Sequence, residues 1–562
     1  MLDVDARSLR GRICGYTKND SKITTPYIVR SVYDGECDDD IHIRVTENGR
    51  ELMFFGSSVK LDRSLISSAS SDLRAEPVHE SNVTVLSLPL PESIELPEET
   101  EVVIVPNAYD LRGNSRMLVD TVIKLRNSVG YNVVIGMFGI AEPSTLALLT
   151  YMGIDLFDDS LVNVFGKSGI RLIPEGEVVS DGDVSDSNRD ELSRECSKIK
   201  DFIRSGRLRE LVDQRSVATP SSVATLRIFD RVGYEYQEES VDTAAGRFCC
   251  NTVQALRRPD VLRYRNMILE RYEKPAHKKV LVLLPCSAKK PYHISKTHKR
   301  FSSAIHVSTF DTVVHEVIVT SPLGAVPREL DAMYPANAYD IPVTGEWKCQ
   351  EKEFIRELIG HIISQGYDTV ISHLGEDTEL VRGLCEMKET VVGDSTSPAS
   401  LQNLETALRE ATKGMEVGDY KEDRIETVRS MLKFQFGKEM ADKIMDENTY
   451  VIGKFPFWKI MRDKVQIAMM SEGRGVFSFT AEGSEVLAEL GCNIVEMVDF
   501  ELKGNLFAVG VTSADSGIRI GDEAVVMCNG EVRGVGVAMM SGKEMCDLKR
   551  GIAVKIRHKA KR

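Results

Sequence analysis

Two stretches of the sequence alternate short apolar runs with segments of helical periodicity, and this alternation constrains the fold more than any other feature. The first covers residues 101–158, where the apolar runs EVVIVP and NVVIGMFG flank a helical segment at 114–130. The second begins at Val280 with VLVLLP and continues through HEVIVTSPLG and DTVISHLG. Short apolar runs without polar alternation are typical of strands covered on both faces, so each stretch predicts parallel strands packed against helices.

Length, charge and cysteine usage narrow the class of protein. A chain of 562 residues predicts roughly three to five domains. No apolar run reaches about 18 residues, and charges occupy the N-terminal positions where a signal peptide needs an apolar core, so we predict neither a membrane span nor a secretion signal. The 11 scattered cysteines favour a reducing, cytoplasmic location. A net charge of −14 argues against a basic coat over the whole protein but leaves room for a local RNA-binding patch.

The remaining segments are less regular. Residues 1–100 predict irregular, β-rich structure, and the acidic residues 176–200 predict a solvated insertion leading into a helix at 189–215. Residues 401–490 mix helical and other patterns. After Gly491 the sequence consists of short strands with glycine turns, which is typical of a small β-barrel.

A cysteine stands where the first strand of the second stretch ends. Cys286 follows Pro285, so it should lie at the carboxyl edge of the sheet, where open parallel sheets bind ligands. Lys289, Lys290 and His298 follow it, and nearby cations lower the pKa of a thiol and favour the nucleophilic thiolate. The alternative is an inert, packed thiol beside a basic loop that faces phosphates.

The residues around this cysteine form a long motif, PC-x3-KPY-x2-S-x2-H, which resembles the signature of archaeosine synthase, a family related to archaeal tRNA-guanine transglycosylase. Its fixed positions are Pro285, Cys286, Lys290, Pro291, Tyr292, Ser295 and His298. Residues 321–347, rich in Pro, Gly, Tyr and Arg, resemble the same domain of that family. We interpret them as a substrate loop in which Arg328 and Tyr334 join Pro291 as substrate-binding candidates, with a simple connecting loop as the alternative.

The resemblance implies a chemistry. The substrate would be 7-cyano-7-deazaguanine already inserted in the D-loop of tRNA, and its nitrile carbon is electrophilic. Cys286 would add to this carbon to give a thioimidate, and an amine would then displace sulfur and leave an amidine. His298 or Lys290 would protonate the developing nitrogen, while Tyr292 and Ser295 would orient the base. Direct amine attack, with Cys286 only lining the site, is the alternative.

The resemblance also implies partners. In this family free lysine is the expected amine donor, and a radical-SAM partner protein completes the adduct. The sequence contains no recognisable glutaminase site, which favours an amine used directly. A homodimer is possible on charge grounds, since an acidic body carries a basic tail.

The first stretch resembles the transglycosylase barrel in part. Asp158, in YMGIDLFDDS, matches the position of a nucleophilic aspartate at the carboxyl end of a barrel strand. The family's other aspartate, in Asp-Ser-Gly, has no counterpart. The zinc motif is reduced to Cys249 and Cys250, with Arg265 in place of the histidine, so we predict no metal cofactor. Asp158 is therefore interpreted as structural or as a vestigial base contact in a degenerate barrel.

The C-terminal segment resembles a PUA domain. Its last strand and tail carry a run of cations that includes Lys549, Arg550, Lys555 and Arg557, which we predict to contact RNA phosphates. A solubilising terminus is the alternative interpretation of such a tail.

Together these observations predict an α/β multidomain protein. The expected domains are a degenerate TIM-barrel-like domain at 1–274, a central α/β catalytic domain at 275–400, a small α+β domain at 401–490 and a β-barrel PUA domain at 491–562. The predicted function is amine addition to a tRNA-borne nitrile. The alternatives are an active transglycosylase that exchanges guanine, and a non-catalytic tRNA-binding subunit.

Overall fold

The computed structural model describes residues 2–18, 21–33, 37–47, 49–61, 76–308, 311–416, 418–471 and 473–560. The chain divides into two compact units. The first unit consists of Met1–Val241, Asn505–Arg519 and Met539–Ala553, and the second of Asp242–Gly504, Ile520–Ala538 and Val554–Arg562. The four domains expected from the sequence are a finer division than these two units and stay a prediction. Among the described residues, no helix is long and apolar enough to cross a membrane.

The first unit contains a mixed, barrel-like sheet of nine strands and a separate three-stranded antiparallel sheet. Its strands are β1 (Leu2–Ser8), β2 (Gly11–Lys18), β3 (Ser21–Thr24), β4 (Tyr27–Tyr33), β5 (Ile41–Thr46), β6 (Gly49–Phe54), β7 (Ser57–Leu61), β8 (Val78–Glu80), β9 (Val83–Val85), β10 (Val102–Val105), β11 (Val134–Met137), β12 (Leu156–Asp158), β13 (Ile170–Ile173) and β14 (Gly176–Val179). Its helices here are α1 (Ser115–Val129), α2 (Leu146–Tyr151), α3 (Ser160–Lys167), α4 (Ser185–Arg204), α5 (Leu208–Arg215), α6 (Pro220–Val232) and α7 (Tyr234–Glu238).

The prediction of parallel strands in residues 101–158 is confirmed. β10, β11 and β12 are neighbours in parallel register, with α1 and α2 as the connections between them. β9 continues the parallel set on one side and β4 on the other. The sheet order β7-β6-β5-β4-β12-β11-β10-β9-β8 places β12, which ends at Asp158, at its centre.

The predicted solvated insertion at 176–200 is wrong for most of its length. β14 forms a hairpin with β13, and α4 begins already at Ser185. Leu192, Cys196 and Ile199 follow one another at helical spacing and are buried in the core, so the acidic composition belongs to the outer face of a packed helix. The expected helix at 189–215 is two helices, separated at Gly206, whose φ is +69°.

The second unit is organised around a five-stranded sheet of order β18-β17-β16-β20-β21, and a four-stranded antiparallel sheet of order β22-β23-β24-β25 follows it. Its strands to residue 497 are β15 (Phe248–Cys249), β16 (Val280–Pro285), β17 (Val314–Thr320), β18 (Gly324–Pro327), β19 (Tyr339–Asp340), β20 (Thr369–Ser372), β21 (Lys388–Glu389), β22 (Thr449–Ile452), β23 (Lys459–Arg462), β24 (Val465–Ser471), β25 (Val476–Phe479) and β26 (Ile494–Met497). Its helices are α8 (Pro259–Glu270), α9 (Lys296–Ser308), α10 (Cys349–Ser364), α11 (Pro398–Ala411), α12 (Tyr420–Phe436), α13 (Lys438–Ile444) and α14 (Ala481–Glu489).

Strand β16 is buried on both faces, as its unbroken apolar run predicted. Val282 and Leu284 pack on one side in a cluster that includes residues of α9 and α11. Leu281 and Leu283 pack on the other side in a larger cluster that includes residues of α8 and α10. Because α11 belongs to this layered sheet, the expected domain boundary at 400/401 falls inside a helix that completes the α/β domain.

The C-terminal strands follow the short, glycine-punctuated pattern expected from the sequence. They are β27 (Leu506–Phe507), β28 (Val511–Ala514), β29 (Glu523–Cys528), β30 (Glu531–Ala538) and β31 (Ile552–Lys559), with one helix, α15 (Gly542–Asp547). β26, β29, β30 and most of β31 lie in the second unit, where β29 and β30 pair antiparallel. β27, β28 and α15 lie in the first.

Candidate active site

Cys286 lies at the carboxyl edge of the central strand of the five-stranded sheet, where the sequence placed it. β16 runs parallel to β17 with Pro285 opposite Val319, and parallel to β20 on its other side. The chain turns away after Pro285, a residue that cannot donate a hydrogen bond to a neighbouring strand. The ends of three parallel strands therefore surround the sulfur, which is the usual ligand-binding position of such sheets.

The electrostatics of Cys286 differ from the sequence-based expectation. The thiol is half-buried and packs against the larger hydrophobic cluster. Burial raises its pKa, while the charge of Lys290 and an interaction with the Thr320 hydroxyl act in the opposite direction without outweighing it. The surroundings of Cys286 thus disfavour the thiolate, because desolvation exceeds the effect of the nearby cation.

Lys290 is the cation that approaches the cysteine. Its Nζ lies 4.3 Å from the centroid of the Tyr339 ring and 6.0 Å from that of Tyr292. Burial lowers the pKa of Lys290, against opposing contributions from Cys286 and Asp340. A lysine whose amine is easily deprotonated can exchange a proton with a neighbouring thiol and with a bound substrate.

Three buried hydroxyl groups contact one another beside the cysteine. The Tyr292 hydroxyl donates to Thr320 Oγ1 at 3.2 Å, and the Tyr339 hydroxyl lies 2.6 Å from the same oxygen. The Tyr292 and Tyr339 hydroxyls are also hydrogen-bonded to each other. All three side chains are at most 1% exposed. We call Thr320, Tyr292 and Tyr339 the hydroxyl cluster.

Ser295 and His298 lie at the start of α9, directly after the motif loop. Ser295 Oγ accepts from the His298 backbone N–H at 3.1 Å at the start of α9, which is an N-cap bond. His298 is fully buried, and its Nδ1 lies 2.8 Å from Arg328 Nη2, so Nδ1 accepts. Burial and the Arg328 charge lower the pKa of His298 to about 2. A buried ring held neutral in this way does not favour the expected roles of positive charge or proton donor for His298, which stay predictions.

Arg328 is held by internal contacts rather than facing open space. Its guanidinium donates to Glu316 Oε2 at 2.6 Å and to Asp331 Oδ2 at 3.1 Å. Asp331 in turn accepts from the backbone N–H of His293 at 2.7 Å, so this pair ties the motif loop to the 321–347 segment. The structure therefore assigns Arg328 a supporting position, and its predicted contact with substrate stays a prediction.

Pro291 and Tyr334, the other two substrate candidates in these segments, have different surroundings. Pro291 is half-buried and precedes the short turn that carries Tyr292. Tyr334 donates through its hydroxyl to Asp260 Oδ2 at 2.9 Å, and its ring lies 5.9 Å from that of Phe248. These contacts place Tyr334 in the packing around α8, so its role at the substrate also stays a prediction.

Sequence reasoning missed several residues that the fold brings to the site. Thr320 is the last residue of β17, and Asp377 lies in the helical turn Gly375–Leu380 after β20. The charge of Asp377 raises the pKa of Cys286. Trp347 Nε1 donates to Asp377 Oδ1 at 2.8 Å, which fixes that carboxylate. Thr320 could have been found from the sequence, because it stands at the carboxyl end of a predicted strand. No feature of the sequence singled out Tyr339.

Asp158 is fully buried at the end of β12. Its Oδ1 accepts from the Gly139 backbone N–H at 2.6 Å, and Oδ2 has no hydrogen-bond partner among the described residues. Burial raises its pKa, partly offset by Arg50 and by Ser160. The position matches the end of a parallel strand, and the surroundings leave the carboxylate closed to solvent.

The residues that remain of the zinc motif make packing and hydrogen-bond contacts. β15, which includes Cys249, pairs with β19, and Cys250 N donates to Asp340 O at 2.8 Å. Arg265 donates to the Pro322 carbonyl at 2.7 Å and its guanidinium lies 3.5 Å from the Phe354 ring centroid. In the part of the chain that is described, no three His, Cys, Asp or Glu side chains are grouped as metal ligands.

The four cations predicted to contact RNA are all exposed. Lys549 and Arg550 belong to the first unit, and Lys555 and Arg557 to the second. Arg557 donates to Glu523 Oε1 at 3.0 Å and to the Phe479 carbonyl at 3.1 Å. Its charge is therefore already engaged by a carboxylate, which leaves Lys555 as the stronger RNA-binding candidate on that strand.

Replacing Arg557 by alanine should destabilise the second unit by about 1–3 kcal/mol, because Glu523 is fully buried and would keep only Arg474 and one backbone donor. Replacing Lys555 should change stability by less than about 0.5 kcal/mol and weaken tRNA binding in a salt-dependent way. Urea unfolding and filter binding of the two variants measure both effects. Equal stability losses would contradict this division of roles.

Family comparisons agree with this arrangement. A family model described as a domain of unknown function, DUF5591, matches residues 261–408, and a PUA domain model matches residues 495–560. An α/β domain with a polar site at its strand ends, followed along the chain by a PUA domain, defines the chain as a PUA-containing α/β protein.

Archaeosine synthase subunit alpha of Thermoplasma acidophilum is 34% identical over 465 residues, covering 82% of this chain and 89% of that protein. The tRNA-guanine(15) transglycosylase of Methanocaldococcus jannaschii is 22% identical over 79% of this chain and 68% of its own length. A solved protein of unknown function, AF0587, is 27% identical and covers 54% of this chain and 100% of its own, with a TM-score of 0.42. The chain belongs to the archaeosine synthase family.

Proposed function

We propose that the protein adds an amine to the nitrile carbon of 7-cyano-7-deazaguanine carried by tRNA and so forms an amidine. One observation carries the proposal: Cys286 ends the central parallel strand with Lys290 beside it, in a chain of the archaeosine synthase family. The PUA domain would bind the tRNA and do no chemistry.

The reaction uses the thiol and the amine as a proton-exchanging pair. Lys290 in its neutral form, which burial favours, takes the proton of the Cys286 thiol, and the resulting thiolate attacks the nitrile carbon. As the C–S bond forms, the nitrile nitrogen gains an electron pair and receives the proton back from Lys290, which yields a thioimidate. A neutral amine then attacks this carbon, the C–S bond breaks, and sulfur leaves with a proton, so the sum is nitrile plus amine giving amidine.

Free lysine is the proposed donor, and a radical-SAM protein is the proposed partner that converts the lysine adduct. The support is chemical: an aliphatic amine with a free α-carboxylate is a competent nucleophile and gives a product that a second enzyme can cleave. The name of the Thermoplasma relative, a subunit alpha, is consistent with a separate partner subunit. A homodimer stays a further possibility for the assembly.

The test is mass spectrometry of nucleosides after incubation with nitrile-bearing tRNA and isotope-labelled lysine. We expect the labelled lysine to appear on the 7-deazaguanine nucleoside, with ammonium and glutamine as parallel donors for comparison. Exchange of guanine instead would identify a transglycosylase. An unchanged nitrile on tRNA that the protein nevertheless binds would identify a non-catalytic subunit.

A further inference from the structure

The residue opposite the cysteine on the neighbouring strand is Thr320. Pro285 pairs with Val319 in the parallel register, so Cys286, the first residue after β16, and Thr320, the last residue of β17, are neighbours at the carboxyl edge, where the Thr320 hydroxyl interacts with the thiol. Thr320 is 1% exposed and ends β17. Nothing in the motif predicted a role for it.

The hydrogen bonding of Thr320 leaves a choice of acceptor for its hydroxyl proton. A threonine hydroxyl has one proton to donate and two lone pairs to accept. The Tyr292 hydroxyl donates to the Thr320 oxygen at 3.2 Å, and the Tyr339 hydroxyl lies 2.6 Å from the same oxygen, with either group able to donate. The Ser321 carbonyl lies 3.0 Å from that oxygen and accepts the Thr320 proton. The same proton can turn to the Cys286 sulfur, with which the hydroxyl interacts.

We propose that Thr320 is a positioning residue whose hydroxyl donates a hydrogen bond to the Cys286 sulfur when that sulfur is ionised, with Tyr292 and Tyr339 holding the hydroxyl in place. No covalent bond to Thr320 forms or breaks; the hydroxyl proton only changes its acceptor from the Ser321 carbonyl to the thiolate. The hydrogen bond that Tyr292 donates polarises the Thr320 oxygen and makes its proton a better donor.

This arrangement answers the energetic problem that the buried thiol creates. Burial raises the pKa of Cys286, and one half-buried lysine does not outweigh it. A hydrogen bond to a charged acceptor stabilises the charged form more than a neutral bond does, so Thr320 supplies stabilisation that appears only when the thiolate forms. The inference deepens the function proposed above and rests on it for its catalytic meaning.

The test measures thiol ionisation directly. The rate of Cys286 alkylation by iodoacetamide, read by mass spectrometry of its peptide between about pH 7 and pH 12, gives the ionisation midpoint in the intact protein. We expect Thr320→Val to raise the midpoint by about one to two pH units and Thr320→Ser, which keeps the hydroxyl, to restore most of it. Thr449→Val, which removes another buried threonine hydroxyl in the four-stranded sheet region, should leave it unchanged.

An unchanged midpoint in Thr320→Val, or an equal shift in Thr320→Ser, would overturn the inference. Thr320→Ser also guards against a folding defect, because it removes only one methyl group. The readout needs no tRNA, so it stands apart from the proposed function: failure of lysine transfer to the nitrile would refute that function while the alkylation profile still decides the part of Thr320.

Discussion

Replacing Cys286 by alanine should reduce formation of the lysine adduct on nitrile-bearing tRNA by at least about 1,000-fold. The reason is that the covalent route divides a slow addition of a weakly nucleophilic amine into two faster steps, and both need the sulfur. Binding of the tRNA should change little, because the expected phosphate contacts lie in the PUA domain. Single-turnover assays with excess enzyme measure the chemical step without product release.

The matched control is Cys385→Ala. Cys385 is also a half-buried thiol of the second unit, and burial raises its pKa as well. It lies outside the motif that contains Cys286. Its removal should leave the rate within about twofold. A Cys286→Ala enzyme with near-normal turnover would instead establish direct attack of the amine on the nitrile, with Cys286 only lining the site.

Replacing Asp155 by alanine should lower the free energy of unfolding of the first unit by about 3–5 kcal/mol. Asp155 is 1% exposed and accepts from Arg12 Nε and from Arg126 Nη2, each at 2.8 Å, and from the Ile135 backbone N–H at 3.0 Å. Without the carboxylate, two guanidinium groups that are almost fully buried keep their charge unpaired. Hydrogen exchange of the amides of Val134–Met137, in the adjacent strand, reports the opening free energy of this region.

The control is Asp201→Ala, which removes an exposed carboxylate that pairs with Arg204 on the surface of α4. The Asp201→Ala change should alter the free energy of unfolding by less than about 0.5 kcal/mol. Hydrogen-exchange protection in the Asp155 variant equal to that of the unaltered protein would contradict the assignment. Lowering the pH should also reduce the free energy of unfolding of the first unit. Burial raises the pKa of Asp155, but Arg12 and Arg126 outweigh it and the net pKa is lowered. The stabilisation is therefore present above the unfolded pKa and is lost as the pH falls through the folded value.

Much of the candidate site followed from local pattern. The position of Cys286 needed only an apolar run that ends at Pro285, because a buried parallel strand must end at a polar edge. The proximity of Lys290 to the sulfur also followed, since the two are four residues apart in one loop. The surroundings of His298 could not be predicted, because a histidine in a motif looks the same whether its ring is solvated or, as here, buried against an arginine.

The sequence by itself determined the parallel strands, the place of the cysteine at the end of one of them, and the PUA pattern at the C-terminal end. These depend on chain-local periodicity and on residues with restricted backbones. Only the tertiary structure decided that Thr320 and Tyr339 meet Tyr292, that Arg557 is engaged by Glu523, and that burial outweighs the cation at the thiol. Those outcomes depend on which distant segments pack together and on how much water they exclude. Neither can be determined from a single segment of the chain.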